Sequence, residues 1–350
     1  MVRNGKKVFV ALSGGVDSST SAAVLLEAGY DCTGVFMVTS EHSSHKDAED
    51  VARRLGIKFY ILDLRNDFER ILDYFCDEYK GGRTPNPCIL CNRLIKFGKL
   101  WDFARSKGAE LLATGHYAKI LKHNGQFGLY EAAYTAKDQS YALSMIDSRI
   151  LSYIILPMEK SGSKDQTREM AAKFGLGNAQ KAESQEICFI PDNDYTAVLE
   201  HRCPELVHGG NITDSDGNIL GEHSGIHKFT IGQRRGLRIA MGKPYYVVNI
   251  DAQSKTVTLG PKEELVHKRL YATDVNWLID APKSAFRARV KIRYNDKGDS
   301  ALVSPQGNNV VVEFDEPKPA ITPGQIAAFY VQEGKNNRVV GAGWIDKASD

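Results

Sequence analysis

The chain has 350 residues, room for two or three domains at the usual ~100–200 residues each. With 42% hydrophobic and 25% charged residues it is neither disordered nor fibrous, and a net charge of +2 means that any nucleic-acid surface must be a local patch. No run reaches the ~18 apolar residues of a membrane span and no apolar leader follows the basic first residues, so a cytoplasmic protein without a membrane partner is expected.

In chain order, Lys7–Leu12 is a near-continuous apolar run that predicts a strand. Ser13-Gly14-Gly15-Val16-Asp17-Ser18 follows, then a helical pattern to Gly29. Cys32–Val38 predicts a second strand, His45–Leu55 a polar helix stopped by Gly56, and Lys58–Leu62 a third strand. A helix over Leu94–Lys107 and a strand over Glu110–Thr114 lead to Gly115-His116. Strands alternating with helices predict an α/β domain with a parallel sheet whose functional groups gather at the strands' C-terminal ends. After a helix over Thr167–Phe174, and beyond Pro204, short alternating strands are punctuated by turns such as Asp216-Gly217-Asn218, Gly260-Pro261 and Thr322-Pro323-Gly324. That spacing predicts small β domains. The expected division is residues 1–200, an α/β catalytic domain with a helical extension; 201–264, a small central β domain; and 265–350, a C-terminal β-barrel.

The loop from Ser13 to Ser18 carries the first chemistry. Adjacent glycines let the backbone turn tightly with its amides inward, two hydroxyls add donors, and the helix N-terminus adds positive potential, a combination suited to pyrophosphate. The loop lacks the lysine of a P-loop and the third glycine of a dinucleotide fingerprint. A glycine turn in which Asp17 or Ser18 merely caps the helix is the plain alternative.

Six cysteines, Cys32, Cys76, Cys88, Cys91, Cys188 and Cys203, are too scattered for a secreted disulfide framework. Cys32 and Cys76 stand in apolar surroundings and read as packing residues. Cys88 and Cys91 could be half of a zinc site, but no second closely spaced pair follows. Sulfur transfer would need one thiol to carry a persulfide and another to attack it, leaving a disulfide.

Ser13-Gly14-Gly15-Val16-Asp17-Ser18 resembles the motif of the ATP pyrophosphatases, which split ATP between the α and β phosphates and adenylate a substrate oxygen. Further segments narrow the resemblance: Gly82-Arg83-Thr84-Pro85-Asn86-Pro87-Cys88-Ile89-Leu90-Cys91-Asn92, Ala113-Thr114-Gly115-His116-Tyr117, Lys137-Asp138-Gln139-Ser140, Ile187-Cys188-Phe189-Ile190, Phe229–Leu237 and Thr322–Gln325. Together they resemble the tRNA-specific 2-thiouridylases over almost the whole chain. The resemblance implies an N-terminal parallel-sheet domain of the ATP-pyrophosphatase (adenine nucleotide alpha hydrolase-like) type, then two small mainly-β domains, the last a barrel.

It also implies an activity. The 2-oxygen of the wobble uridine in tRNAs for Lys, Glu and Gln would be adenylated by ATP with Mg²⁺, then replaced by sulfur from a persulfide donor such as a cysteine desulfurase or sulfur-relay protein. Cys188 resembles the persulfide carrier and Cys91 its attacker, with a disulfide between them as product. Ala11, Leu12, Ser13, Gly14, Gly15, Val16, Asp17, Ser18, Met37 and Gly115 match the nucleotide-binding positions. Asn86, Pro87, Cys88, His116, Lys137, Asp138, Gln139, Arg293, Tyr294 and Gln325 match those that meet tRNA.

Two departures stand out. Cys88 replaces an aspartate found in some members, and with Cys91 and Cys188 it makes a three-thiolate set able to hold a 4Fe-4S cluster with one open iron. Thr39–Ala48 is shorter than the acidic insertion of many relatives. Basic stretches fit an RNA partner: Ile226–Lys243 has Lys228, Arg234, Arg235, Arg238 and Lys243 without an acidic residue, and Arg287, Arg289, Lys291 and Arg293 recur at period two on one strand face, where phosphate contact is expected. The competing readings are another ATP pyrophosphatase, such as a ligase, and a non-catalytic RNA-binding or iron-sulfur protein.

Overall fold

The structure, a computed structural model, describes residues 5–177, 187–190, 194–237, 239 and 242–350. Its elements fall into two compact units, one of Met1–Arg70, Cys88–Phe189 and Gln332–Val340, the other of Ile71–Pro87, Ile190–Val331 and Gly341–Asp350.

The first unit is built on β1 (Lys7–Ala11), α1 (Val16–Glu27), β2 (Asp31–Val38), α2 (Lys46–Leu55) and β3 (Lys58–Asp63). The start of α3 (Arg65–Lys80), most of α4 (Pro87–Cys91), a π-helix (Asn92–Lys99), α5 (Leu100–Ser106) and β4 (Leu111–Ala113) come next. A hairpin of β5 (Lys119–His123) and β6 (Gln126–Tyr130), then α6 (Ser140–Leu143), β7 (Ile154–Ile155) and α7 (Lys164–Lys173) complete it. The sheet order is β3-β2-β1-β4-β7, and every pairing is parallel. β1 is apolar at consecutive positions because both of its faces are covered. Val8 and Val10 pack with Ala22 and Leu25 of α1, Val51 of α2 and Ala171 of α7, while Phe9 stacks on Tyr60, which meets Phe103 of α5 edge-on. Chain order reverses between β1 and β4, so the crevice at their C-terminal ends is the topological switch point where such sheets bind ligands.

The sequence predicts one helix over Leu94–Lys107; the chain instead winds as α4, a π-turned stretch and α5. That change of winding moves side chains around the axis, with consequences for the site. The hairpin β5–β6 and helix α3 escape the sequence reading.

The second unit contains α8 (Tyr195–Arg202), β8 (Gly210–Asp214), β9 (Ile219–His223), β10 (Tyr246–Asp251) and β11 (Thr256–Gly260), which form a four-stranded sheet ordered β10-β11-β8-β9. β12 (Val266–Trp277), β13 (Phe286–Lys291), β14 (Asp299–Gln306), β15 (Asn309–Pro319), β16 (Ile326–Glu333) and β17 (Asn336–Ser349) follow. They run β12-β15-β14-β13-β16-β17, and pairing of β12 with β17, from Arg269↔Ser349 to Trp277↔Gly341, closes a six-stranded barrel. Closure removes the exposed edges that so many short strands would otherwise present. Cys76 and Cys203 pack together by an S–H···S contact, and both are buried, as is Cys32 in the first unit.

On β15, Lys318 is only 4% exposed and meets Asp296 at 2.9 Å and the more exposed Asp299. Asp296 also accepts from the Ile292 and Gly298 amides at 2.9 and 3.1 Å, which pins both ends of the turn displaying Arg293 and Tyr294. Lys318→Met strips the cation from a nearly buried carboxylate, and we expect a loss of about 3 kcal/mol in urea unfolding; an unchanged midpoint would show that the network is idle.

Candidate active site

The loop after β1 folds back on itself. Ser18 Oγ accepts from the Ser13 amide at 3.2 Å and donates to the Gly15 carbonyl at 3.0 Å, while Ser13 Oγ accepts from the Gly15 amide at 3.3 Å. Neither Asp17 nor Ser18 caps α1; Gly15 stands at the N-cap with no side-chain hydrogen bond. The helix N-terminus is therefore not covered by a side-chain cap, which weighs against the plain capping reading and suits an anion. Gly14 sits at φ +77, and a Cβ there would lie 2.7 Å from Asp47 Cβ, so only glycine fits. Leu12 and Val16 are core side chains. Ala11 closes β1, Met37 is half-buried near the end of β2, and Gly115 follows β4.

A Cβ on Gly115 would come within 2.8 Å of the Ser18 amide, so the turn after β4 lies directly on the first turn of α1. His116 shares a 2.7 Å hydrogen bond between its Nδ1 and Thr114 Oγ1, and its ring lies 5.9 Å from that of Phe97. Burial, and then the positive charge of Lys96, push His116 well below its usual range, so the ring is neutral.

Cys88, Cys91 and Cys188 are brought into one electrostatic neighbourhood, each feeling Lys96. Cys91 is buried at the junction of α4 and the π-helix; Cys88 and Cys188 are exposed. Burial pushes the Cys91 thiol up to about 12, with Cys188 and Cys88 adding in the same direction and Lys96 opposing. Although both residues are surface-exposed, desolvation by the protein around their sulfurs likewise raises Cys88 and Cys188, again against Lys96. Phe189, next to Cys188, meets Phe68 edge-on at 5.4 Å, which anchors that turn. Among the described residues no three His, Cys, Asp or Glu side chains stand close enough together to hold a metal ion. The 4Fe-4S reading of Cys88, Cys91 and Cys188 thus finds no ready-made ligand cluster among the described residues, while the three thiols share one cation.

Lys96 is the residue that the sequence reading misses. It follows Cys91 by one π-turn, whereas an α-helix would point it well off the cysteine's face.

The residues matched to tRNA contact are placed as follows. Lys137 is half-buried; Asp138 is buried and accepts from the Ala132 and Ser140 amides and the Ser140 hydroxyl at 2.9, 3.2 and 2.7 Å. Gln139 accepts from the Tyr117 amide at 2.9 Å. In the second unit, Arg293 and Tyr294 are exposed, and Gln325 Nε2 donates to the Thr84 and Pro85 carbonyls at 2.9 and 3.2 Å, bracing the segment that leads to Asn86 and Pro87. The basic strand stripe is corrected. Arg287 pairs with Asp315, Arg289 donates to the Lys297 carbonyl at 2.8 Å, and Lys291 is buried with its ammonium 4.9 Å from the Tyr330 ring. A carboxylate on another strand, a carbonyl of the following turn and the Tyr330 ring, all invisible in local spacing, engage three of the four side chains. Arg238 lies outside the described residues.

A five-stranded parallel sheet with an anion-binding loop at its switch point defines an α/β nucleotide-binding enzyme, and the comparisons agree. The tRNA methyl transferase HUP domain matches residues 6–192, the tRNA methyl transferase PRC-barrel domain 196–261, and the aminomethyltransferase beta-barrel domain 267–345. Proteins named tRNA-specific 2-thiouridylase MnmA are similar from end to end. The one from Carboxydothermus hydrogenoformans is 44% identical over 98% of both chains, that from Syntrophotalea carbinolica 43% over 99% of this chain and 100% of its own, and that from Geobacter metallireducens 42% over 98% and 97%. The chain belongs to the tRNA-specific 2-thiouridylase family.

Two outcomes test this electrostatic picture. Lys96 lowers all three thiols, so Lys96→Gln should leave fewer thiolates at a fixed pH, slowing alkylation of Cys88 and Cys188 severalfold by peptide mass spectrometry, with Lys96→Arg restoring the rate. His116 is held neutral in the fold while an unfolded histidine protonates below ~6.5, so protons favour the unfolded chain and stability is lost as pH falls through that value. Thermal unfolding at pH 7 and 5 should show a steeper loss for wild type than for His116→Asn.

Proposed function

We propose that the chain adenylates the 2-oxygen of the wobble uridine in tRNA and replaces it with persulfide sulfur, giving 2-thiouridine, AMP and pyrophosphate. The observation that carries this is the company kept in the first unit: an anion-binding loop at the sheet's switch point, together with three thiols sharing one lysine. The matching domain descriptions speak of methyl transfer, whereas the relatives are named for thiolation; paired thiols are the groups that sulfur transfer consumes, so the second description is adopted.

In this reading ATP lies in the crevice with its phosphates against the Ser13–Ser18 loop and the N-terminus of α1. Asp17, a carboxylate beside the phosphates, would hold Mg²⁺, which supplies charge neutralisation there. The uracil 2-oxygen attacks the α phosphorus and pyrophosphate leaves. The terminal sulfur of a Cys188 persulfide attacks C2, and the C2–O bond breaks to release AMP. Cys91 then attacks the Cys188 Sγ, breaking the S–S bond to the substrate sulfur; 2-thiouridine departs and a Cys91–Cys188 disulfide remains. A dithiol reductant resets the pair by accepting the disulfide's oxidation. The persulfide comes from a donor such as a cysteine desulfurase or sulfur-relay protein.

Arg293 and Tyr294 supply an exposed cation and an aromatic face for RNA. An open pocket of about 450 Å³ lined in part by Arg234, Lys243 and Tyr245 offers a second basic surface. Cys88, His116 and the 137–139 segment, all of the first unit, border the everted base, with Asp138 and Gln139 acting through the shape they impose; Asn86, Pro87 and Gln325 of the second unit are matched to tRNA contact by the resemblance alone.

Incubation of the purified chain with Mg-ATP, a persulfide donor and unmodified tRNA for Lys, Glu or Gln tests the proposal by mass spectrometry of nucleosides and nucleotides. We expect 2-thiouridine with AMP and pyrophosphate, and Cys188→Ser and Cys91→Ser to abolish thiolation while a single turnover of pyrophosphate release persists. Full thiolation by Cys188→Ser would rule out the sulfur route, and absence of AMP and pyrophosphate in the wild-type reaction would rule out adenylation.

A further inference from the structure

Tyr117 is 2% exposed, and its hydroxyl donates to Asp17 Oδ1 at 2.7 Å. The same oxygen lies 3.0 Å from Thr167 Oγ1, which lies 2.8 Å from Ser161 Oγ; Thr167 and Ser161 are buried as well. Counting protons orders this chain. A carboxylate oxygen accepts, so the tyrosine proton goes to Asp17, and the tyrosine oxygen accepts from Thr167. The Ser163 carbonyl competes for this network, accepting from Ser161 Oγ at 2.8 Å and lying 3.4 Å from Thr167 Oγ1, so the short Thr167–Tyr117 contact at 3.0 Å is the one that leads toward Asp17. The Thr167 and Tyr117 hydroxyls thus lead to one carboxylate with Ser161 packed behind them, an arrangement in which one bond strengthens the next.

The tyrosine cannot follow a wandering carboxylate. Its amide donates to Gln139 Oε1 at 2.9 Å, its carbonyl accepts from the Gln139 amide at 2.7 Å, and its ring packs with Ala132, Met158 and Tyr134. The clamped residue is two positions from Gly115, whose turn lies on the Ser18 amide. Asp17 is the negatively charged side chain of an anion-binding loop, where its direction matters: turned toward the phosphates it repels them, while held to the side it can share a cation with them.

We propose that Tyr117 is a positioning residue of the adenylation step, its hydroxyl fixing the direction of the Asp17 carboxylate beside the phosphates. The inference rests on the nucleotide reading of the Ser13–Ser18 loop and goes beyond it, because Tyr117 touches neither nucleotide nor base in that scheme. Phenylalanine fills the same volume, so Tyr117→Phe removes only the donor.

The test is calorimetric binding of Mg-ATP to the full chain, with thermal unfolding and steady-state pyrophosphate release, for wild type, Tyr117→Phe, Thr167→Val, Asp17→Asn and the Tyr117→Phe/Asp17→Asn double variant. Loss of one charge-assisted hydrogen bond should weaken Mg-ATP binding by Tyr117→Phe about tenfold, with a smaller effect for Thr167→Val. In the Asp17→Asn background, Tyr117→Phe should add nothing, because its route to the nucleotide is already cut. If Tyr117→Phe loses cooperative unfolding, Thr167→Val carries the test, again with an effect present in wild type and absent with Asp17→Asn. Wild-type affinity and pyrophosphate release in a folded Tyr117→Phe, or an equal penalty in both backgrounds, overturns the inference alone. A wild-type chain that binds no Mg-ATP overturns the nucleotide reading and this inference with it.

Discussion

The turn after β4 approaches the first turn of α1 so closely that a Cβ on Gly115 would stand 2.8 Å from the Ser18 amide. This contact follows from the order β3-β2-β1-β4-β7, which sends the chain outward from β1 in one direction and then in the other. The two loops that leave the C-terminal ends of β1 and β4 must then face one another across a crevice. Glycine at 14 and 115 lets backbone amides approach where side chains would intrude. Placement of His116 and Tyr117 next to the phosphate loop is a consequence of this one packing constraint, and the hydroxyl chain from Ser161 to Asp17 extends it into the helical layer.

The sulfur-bearing side of the unit is governed by the opposition of burial and one positive charge. Burial raises Cys88, Cys91 and Cys188 alike, and Lys96 pulls against it at each. For Cys91, at about 12, burial wins, and the resting thiol is protonated near neutral pH. The same lysine that assists the thiols helps to keep His116 neutral, so the cleft carries its positive charge at one place.

In the second unit, charge is used mostly to build. Lys318 with Asp296 and Asp299 secures the turn bearing Arg293 and Tyr294, and Arg287 is tied to Asp315. A short turn carrying a cation and an aromatic ring faces outward beyond the strand, while the strand's own basic side chains are engaged by neighbours to differing degrees. Gln325 in turn braces Thr84 and Pro85, so a residue matched to RNA contact acts on the protein's own loop here.

The sequence by itself determined the alternation of strand and helix, the anion loop, the small β domains and the six thiols, because each is written in local pattern: an apolar run for a strand covered on both faces, paired glycines for a tight turn, regular turn residues for hairpins. It also determined the family, through ordered motifs along almost the whole chain. Only the tertiary structure decided which of these groups share a site. Lys96 joins the thiols because the helix loosens to π-winding after Cys91, a change that 3.6-residue periodicity cannot register. Tyr117 reaches Asp17 from a hundred residues away, and Lys291 and Arg287 find their partners on other strands. Such contacts depend on strand order and register, which hydrogen bonding between distant segments sets and which no local spacing encodes.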